Sequence, residues 1–139
     1  MTPGKKNSVR IENIPKPIIK NDGFLIKTIE VGIDATDREI NDAQYGSPPE
    51  KEDFLILGHE ALGKVVEKSE NLYNSSNRID IGDYVVPTVR RPDDCHYCQT
   101  GEPDMCIKGD YKERGIKGAH GYLREYFTER EEYLIKIPK

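Results

Sequence analysis

Three cysteines carry the clearest chemical pattern in this sequence. Cys95 and Cys98 have two residues between them, and Cys106 follows in a stretch that has almost no apolar residues. Two thiolates at this spacing can bind one tetrahedral metal ion, because the turn between them brings both sulfur atoms to the same side. A fourth ligand is then needed. Asp110, just after Gly109, is the first choice. The alternatives are His96, Asp93 and Asp94.

The same cysteines could instead form a redox pair with an unrelated third thiol. Such a pair needs a lowered thiol pKa, which a helix N-terminus commonly supplies. The Gly- and Pro-rich sequence around these cysteines predicts no such helix. A metal is therefore favoured, and its binding energy would also hold in shape a segment that lacks a core.

Two further groups of residues could contribute to a site. His59 and Glu60 follow Gly58 at the end of an apolar run, where a histidine beside a carboxylate is a credible metal ligand. From these two residues alone, a structural histidine is the favoured interpretation. Asp34 and Thr36 lie before a predicted helical turn, and local sequence favours helix capping by either one. They could also place a carboxylate and a hydroxyl on the rim of a cleft.

Two other motifs are less specific. Adjacent arginines such as Arg90 and Arg91 are usually solvated or ion-paired, with phosphate or partner binding as the alternative. Gly115, Gly118 and Gly121 do not match the dinucleotide fingerprint Gly-x-Gly-x-x-Gly and are predicted to form turns. His120 lies among them without an assigned role.

The elements that must position these residues are mostly short strands. Apolar and β-branched runs predict strands at 24–31, 54–57, 61–67, 84–89, 121–127 and 133–137. One or two helical turns are predicted at 34–41, with irregular sequence at 1–20 and 92–118 and a polar loop at 69–77. Short strands at close spacing, separated by Gly and Pro turns, indicate an all-β barrel or sandwich with a loop-rich insert.

Composition excludes several classes of protein. The chain has 139 residues, about one domain, and a net charge of −4, which argues against nucleic-acid binding. No apolar run approaches the roughly 20 residues of a membrane span. The polar N-terminus has no leader-like apolar region, and an odd number of cysteines fits a disulfide framework poorly. The expected location is the cytoplasm.

In order along the chain, these motifs resemble the catalytic domain of zinc-containing medium-chain dehydrogenases. The matching segments are Val-Gly-Ile-Asp-Ala-Thr-Asp at 31–37, Gly-His-Glu-Ala-Leu-Gly at 58–63, Gly-Asp-Tyr-Val-Val-Pro at 82–87 and the loop that contains Cys95, Cys98 and Cys106, called the cysteine loop below. Within the family, Val-Pro-Thr-Val-Arg-Arg-Pro at 86–92 and Glu-Arg-Gly-Ile-Lys-Gly-Ala-His-Gly-Tyr at 113–122 are most similar to archaeal glucose dehydrogenases. Such enzymes oxidise glucose, and often other aldoses, at C1 with NAD or NADP.

The resemblance implies a catalytic zinc site. Asp34 falls where most of the family has a zinc-binding cysteine, and His59 falls on the histidine ligand. Glu60 falls on the carboxylate that binds the metal or holds its water. Thr36 falls on the hydroxyl that relays the substrate proton. The implied chemistry is Lewis-acid activation of a sugar hydroxyl, with hydride transfer to a nicotinamide.

The resemblance also implies a substrate contact and a structural zinc. Glu113 falls where a glutamate binds sugar hydroxyls. Cys95, Cys98 and Cys106 fall on three ligands of the structural zinc, and Asp110 is the implied fourth.

The expected architecture is a mainly β, GroES-like, partly open barrel with short helices. It would form one domain over residues 1–139, with a zinc-binding lobe at about 90–118.

Members of the family are more than twice as long, and their nucleotide-binding domain has no counterpart in this chain. That domain could be supplied in cis or in trans, and the full-length protein is expected to be a homo-oligomer. The chain alone should bind zinc but turn over little sugar or alcohol. The alternative is a stand-alone zinc-binding or interaction module, or a relic without catalysis.

Overall fold

The computed structural model describes residues 1–20, 22–74 and 78–138, and these residues form two compact units. The first unit contains residues 1–10, 33–59 and 89–121, and the second contains residues 11–32, 60–88 and 122–139. The strands are β1 (Gly23–Gly32), β2 (Glu60–Lys68), β3 (Tyr84–Pro87), β4 (Arg90–Arg91), β5 (Lys112–Arg114), β6 (Gly118–Ala119), β7 (Tyr126–Arg130) and β8 (Leu134–Lys136). The α-helices are α1 (Ala35–Asn41) and α2 (His96–Gln99), and short 3₁₀ helices span Glu70–Asn74, Pro103–Met105 and Glu131–Tyr133.

The second unit is built on a five-stranded sheet in the order β7-β1-β2-β3-β8, with antiparallel neighbours throughout. Alternate residues of β2 point to one side and are buried, which is the pattern of a strand with one covered face. Burial of each large apolar side chain contributes roughly 1.5–3 kcal/mol. The buried cluster consists of Phe24, Ile26, Ala61, Val65, Leu72, Ile79, Val85, Tyr122, Phe127 and Leu134.

The first unit has much less regular structure and a smaller core. Its sheet has three short strands in the order β4-β5-β6, and β4 pairs antiparallel with β5. Its buried apolar cluster is Met1, Ile40, Leu55 and Leu57, with Ile116 packed against it. No member of that cluster comes from the cysteine loop, so the loop must be held by polar contacts or by a ligand.

Most predicted elements are confirmed, including β1, β2, β3, β8 and the helix at 35–41. The predicted strand at 54–57 is wrong. Leu55 donates its amide proton to the Met1 carbonyl, and Ile56 donates to Nδ1 of His120. Because its partners are scattered, this fully described segment forms no ladder, although Leu55 and Leu57 are buried as expected.

Four other predictions need adjustment. The strand expected at 121–127 begins later, at Tyr126, and the strand expected at 84–89 ends at Pro87. The region 92–118 contains α2, β5 and β6 rather than being wholly irregular. The loop at 69–77 holds a 3₁₀ helix over Glu70–Asn74, and positions 75–77 lie outside the described residues. Among the described helices, none has the length and apolar character needed to cross a membrane.

Candidate metal centres

Four potential ligands meet in the cysteine loop. One ligand atom from each of Asp93, Cys95, Cys98 and Cys106 lies within 4.8 Å of the others. The Cys95 and Cys106 sulfur atoms are 3.8 Å apart, and the Cys106 sulfur is 3.1 Å from Oδ2 of Asp93. Zinc–sulfur bonds of about 2.3 Å place two thiolates of a tetrahedral site about 3.8 Å apart. Three thiolates and one carboxylate at these distances fit a zinc ion.

The carboxylate beside the thiols is Asp93, one of the alternatives left open by the sequence, rather than Asp110. The amide of Cys95 donates to Asp93 Oδ1 at 2.9 Å, and the amide of Asp110 donates to Oδ2 at 3.0 Å. The bond from Cys95 is the main reason that the pKa of Asp93 lies well below its usual range. Asp93 is therefore ionised and aimed at the sulfur atoms.

The other candidates for the fourth ligand are occupied elsewhere. Lys108 Nζ lies 2.6 Å from Asp94 and 3.3 Å from Asp110, so it pairs with both carboxylates at the surface. His96 is exposed, and its ring packs edge-on against Tyr97.

The two thiols of the Cys-x-x-Cys pair differ in acidity. The sequence predicted no helix here, but α2 begins directly after Cys95. A backbone hydrogen bond from Cys98, assisted by one from Ile107, lowers the pKa of Cys95 against the opposing effect of burial. Burial, reinforced by the neighbouring Asp93, raises the pKa of Cys98 to about 12. Cys98 is therefore a protonated thiol when no metal is bound.

A second group of donors lies at the start of α1. Single ligand atoms of Asp34, Asp37 and His59 lie within 4.8 Å of one another. Asp34 is the N-cap and accepts a 2.7 Å hydrogen bond from the Thr36 amide. Asp37 completes a capping box by accepting from the Asp34 amide at 3.3 Å. The residues that begin the helix therefore also bring two carboxylates to one histidine.

His59 is buried, and one of its ring nitrogens is unsatisfied. Its Nε2 lies 3.7 Å from Asp34 Oδ1, and its Nδ1 lies 3.7 Å from Asp37 Oδ2. Among the described residues Nδ1 has no hydrogen-bond partner. Leaving a buried polar atom unpaired costs about 1–3 kcal/mol. An imidazole and a carboxylate that both bind zinc at about 2.1 Å are about 3.4 Å apart. A zinc ion bound by Nε2 and Asp34 would need only a small adjustment of these side chains, and the Nδ1–H tautomer would donate to Asp37, so this donor set also fits zinc.

The backbone before His59 is held by close contact with glycine. The Gly121 amide donates to the Ile56 carbonyl at 2.7 Å. A Cβ atom at Gly121 would come within 2.2 Å of the Gly58 carbonyl oxygen and 2.4 Å of that of Leu57. Only glycine allows this approach. Gly121, predicted as a turn residue, therefore fixes the segment that ends at His59.

The carboxylate of Asp34 is exposed and ionised. Partial desolvation alone would raise its pKa. Hydrogen bonds from the Thr36 and Asp37 amides and the nearby His59 together outweigh that effect, so the pKa of Asp34 lies below the usual value. The Thr36 hydroxyl donates to Asp34 Oδ2 at 3.3 Å. The predicted pair of Asp34 and Thr36 is therefore brought together, and Asp34 is also the helix cap that local sequence favoured.

Not every predicted site residue joins these clusters. Glu60 is the exposed first residue of β2, in the second unit, and its carboxylate lies beside Gly32. Glu113 is paired with Arg90, as expected for one of the two arginines. His120 stacks on Phe54 with ring centroids 4.7 Å apart.

Sequence reasoning missed Asp37 as a third donor beside His59. Its side chain is only 4% exposed and accepts a 3.2 Å hydrogen bond from the Gly58 amide. The available signal was the spacing of Asp34 and Asp37, an N-cap and a carboxylate three residues later, which is typical of a capping box. That signal predicts a helix start, but it does not predict that the carboxylate faces a histidine far along the chain.

Comparison with known proteins defines the class. Residues 20–139 match the family described as the alcohol dehydrogenase GroES-like domain, and the chain belongs to that family. The predicted resemblance and the mainly β, GroES-like fold class are thereby confirmed.

The chain is also similar to individual proteins of known activity and structure. The chain is 45% identical to the glucose 1-dehydrogenase of Methanocella arvoryzae over 141 aligned residues, which cover 100% of this chain and 38% of that protein. It is similar to a structure of Haloferax mediterranei glucose dehydrogenase in complex with NADP, Zn and gluconolactone, with a TM-score of 0.81 and 42% identity. That match covers 96% of this chain and 37% of the other chain. A structure of the D-arabinose dehydrogenase from Sulfolobus solfataricus matches with a TM-score of 0.70 and 26% identity, over 92% of this chain and 37% of that chain. The chain therefore spans little more than a third of the length of these relatives.

Proposed function

We propose that this chain is the catalytic domain of a zinc-dependent glucose 1-dehydrogenase that oxidises an aldose at C1 with NAD or NADP. The observation that carries the proposal is the buried His59, whose ring lies between Asp34 and Asp37 and whose Nδ1 has no hydrogen-bond partner among the described residues. Identity above 40% with two glucose dehydrogenases supports the choice of substrate class.

The residues at the start of α1 have separate roles in this proposal. Asp34 and His59 would hold the catalytic zinc, which as a Lewis acid favours the alkoxide form of the bound sugar hydroxyl. Thr36, whose hydroxyl lies beside Asp34, would accept the proton of the sugar hydroxyl on its own hydroxyl oxygen and release its proton outward to solvent. Asp37 holds the imidazole of His59 in position. Glu60 is the carboxylate proposed to bind the metal or its water.

The cysteine loop would hold a structural zinc through Cys95, Cys98, Cys106 and Asp93. None of these four residues belongs to the buried apolar cluster of the first unit. Metal binding would therefore supply the stability of this segment. The proposed one-domain arrangement over residues 1–139 places this lobe at about 90–118.

The nicotinamide cofactor would be bound by a nucleotide-binding domain in cis or in trans, and would act as hydride acceptor. The proposed substrate is a small sugar or alcohol, and the proposed setting is a cytoplasmic homo-oligomer. Without the nucleotide-binding domain, the chain is expected to bind zinc and to turn over little substrate.

A chimera tests the proposal. In the chimera, this chain replaces the part of the Methanocella arvoryzae enzyme that aligns with it, 38% of that protein. Glucose-dependent reduction of NAD⁺ and NADP⁺ is then measured. We expect activity, and we expect its loss in the His59→Ala chimera. Thr36→Ser keeps the hydroxyl and should retain activity, whereas Thr36→Val should lose most of it.

A folded chimera that contains zinc but oxidises neither glucose nor another aldose would reject the proposal. Circular dichroism and zinc analysis of the same preparation show whether the chimera is folded and loaded.

A further inference from the structure

The first unit contains one guanidinium group that contacts both the cysteine loop and the proposed sugar-binding glutamate. Arg90 NH1 donates to the Pro103 carbonyl at 3.2 Å and lies 3.4 Å from Asp104. Pro103 and Asp104 belong to the 3₁₀ helix that directly precedes Cys106. On the other side, Nε and NH2 of Arg90 donate to Oε1 of Glu113 at 3.2 and 2.9 Å.

The backbone places these two residues opposite each other. Arg90 and Glu113 are cross-strand partners in the β4–β5 pair, which fixes the separation of their side chains. The guanidinium also lies 4.2 Å from the centre of the Tyr111 ring. Arg90 is mostly buried, with 28% of its side chain exposed, so its orientation is set on several sides.

The geometry at Glu113 leaves one oxygen available. Both bonds from Arg90 end on Oε1, and within the described part of the chain no hydrogen bond reaches Oε2. The side chain is 19% exposed. A carboxylate with one oxygen held and no hydrogen bond on the other can accept a hydrogen bond from a sugar hydroxyl in one defined direction.

We infer that Arg90 is a positioning residue that fixes Glu113 for sugar binding and makes that position depend on the metal of the cysteine loop. The sugar-binding part rests on the proposed function, whereas the coupling between loop and glutamate does not. Metal binding orders the loop through Cys106, and the neighbouring Pro103 carbonyl then holds the guanidinium that holds Glu113. Lysine cannot replace this arrangement, because its single ammonium lacks the fork that reaches both partners.

The coupling is tested on the 139-residue chain by NMR of arginine side chains. With zinc bound, the Arg90 Nε proton should exchange with water about tenfold more slowly than that of Arg78, since a hydrogen bond to a charged group contributes about 1.5 kcal/mol or more. Arg78 is the control because its Nε pairs with Glu131 in the second unit and 79% of its side chain is exposed. In Cys106→Ser, the Arg90 proton should lose this protection while Arg78 is unchanged. Protection of Arg90 that persists after the loop has lost its zinc would overturn the inference.

Sugar binding is followed separately, by glucose titration of the Glu113 side-chain carboxyl signal. The wild-type chain should respond, and Arg90→Lys should need about tenfold more glucose for the same response. Lys108→Gln is the matched control, because it removes a loop cation that does not touch Glu113. An unchanged titration in Arg90→Lys would overturn the positioning role. No response to glucose in any variant would count against the proposed sugar site, while the coupling would still be decided by the Arg90 signal.

Discussion

At the scale of single residues, the structure places two carboxylates beside candidate metal ligands where the sequence favoured others or none. Asp93 rather than Asp110 faces the thiols, since Lys108 pairs with Asp110 and two backbone amides orient Asp93. Asp37 joins Asp34 and His59 because it also caps the helix. Both differences arise from hydrogen bonds to particular backbone amides.

We predict that Asp93→Asn lowers the zinc affinity of the cysteine loop by about 10- to 100-fold, the range seen when a metal site loses one supporting interaction. Asp110→Asn is the matched control and should bind zinc like the wild-type chain. Competition with a chromophoric chelator measures both. The reverse order of effects would return Asp110 to the ligand set.

We predict that zinc binding to the same loop weakens as pH falls. Burial raises the pKa of Cys98 to about 12, so its thiol is protonated at neutral pH and must release a proton when it binds the metal. Each released proton makes affinity fall about tenfold per pH unit. Zinc competition between pH 6 and 8, roughly the neutral range, should show at least this slope. A pH-independent affinity would mean that Cys98 remains outside the site.

At the scale of elements, helix α1 joins the small core of the first unit to the donor cluster. Ile40 is its fully buried apolar residue, and Asp37, on the same helix, contacts His59. Packing of one side chain therefore sets the direction in which the first turn presents its carboxylates.

We predict that Ile40→Ala lowers the free energy of unfolding by about 2–5 kcal/mol, the usual cost of emptying a buried aliphatic site. Ile33→Ala, one residue before the cap, should change it by less than about 0.5 kcal/mol because that side chain is 62% exposed. Urea denaturation followed by circular dichroism compares the two. Equal effects would show that the cluster around Ile40 is not the core of this unit.

Much of the fold could be predicted from local sequence, and the exceptions have physical reasons. β1 and β2 carry apolar, β-branched runs between turn residues, so their bounds were close to those observed. The segment at 54–57 has the same composition, but its amide partners include a histidine side chain 64 positions away, which no local pattern encodes. Residue types and spacing predicted a metal set at the cysteines, whereas at Asp34 and His59 they favoured a helix cap and a structural histidine, and the metal role there came from the family resemblance. The pairing of Glu113 with Arg90 depends on strand register.

At the scale of the whole molecule, two separate donor sets among the described residues lie within one compact unit. The cysteine loop offers three sulfur atoms and one oxygen, and the start of α1 offers one imidazole and two carboxylates. Softer sulfur ligands favour zinc, whereas the harder set at α1 also suits other divalent ions. The two sites should therefore differ in how firmly they hold zinc.

We predict about two zinc ions per chain in protein purified without chelator. Dialysis against a weak chelator should remove the ion at α1 first. Elemental analysis of the wild-type chain, Asp34→Ala and Cys98→Ser measures this, and each variant should lose one ion. A value of about one in both the wild type and Asp34→Ala would mean that Asp34 is only a helix cap.

The double use of Asp34 has a consequence for the history of this position. Its carboxylate caps α1 and also faces His59, so a replacement must satisfy a backbone amide and remain a donor. Cysteine keeps a metal donor, but its sulfur is a weaker hydrogen-bond acceptor. In the genetic code, aspartate and cysteine codons differ at two nucleotides, and the single-step intermediates encode tyrosine or glycine. Glycine tolerates the cap position but offers no ligand, and tyrosine is a poor cap. With the zinc role proposed for Asp34, ordinary point mutation from aspartate would therefore pass through a protein without this ligand before it reaches cysteine.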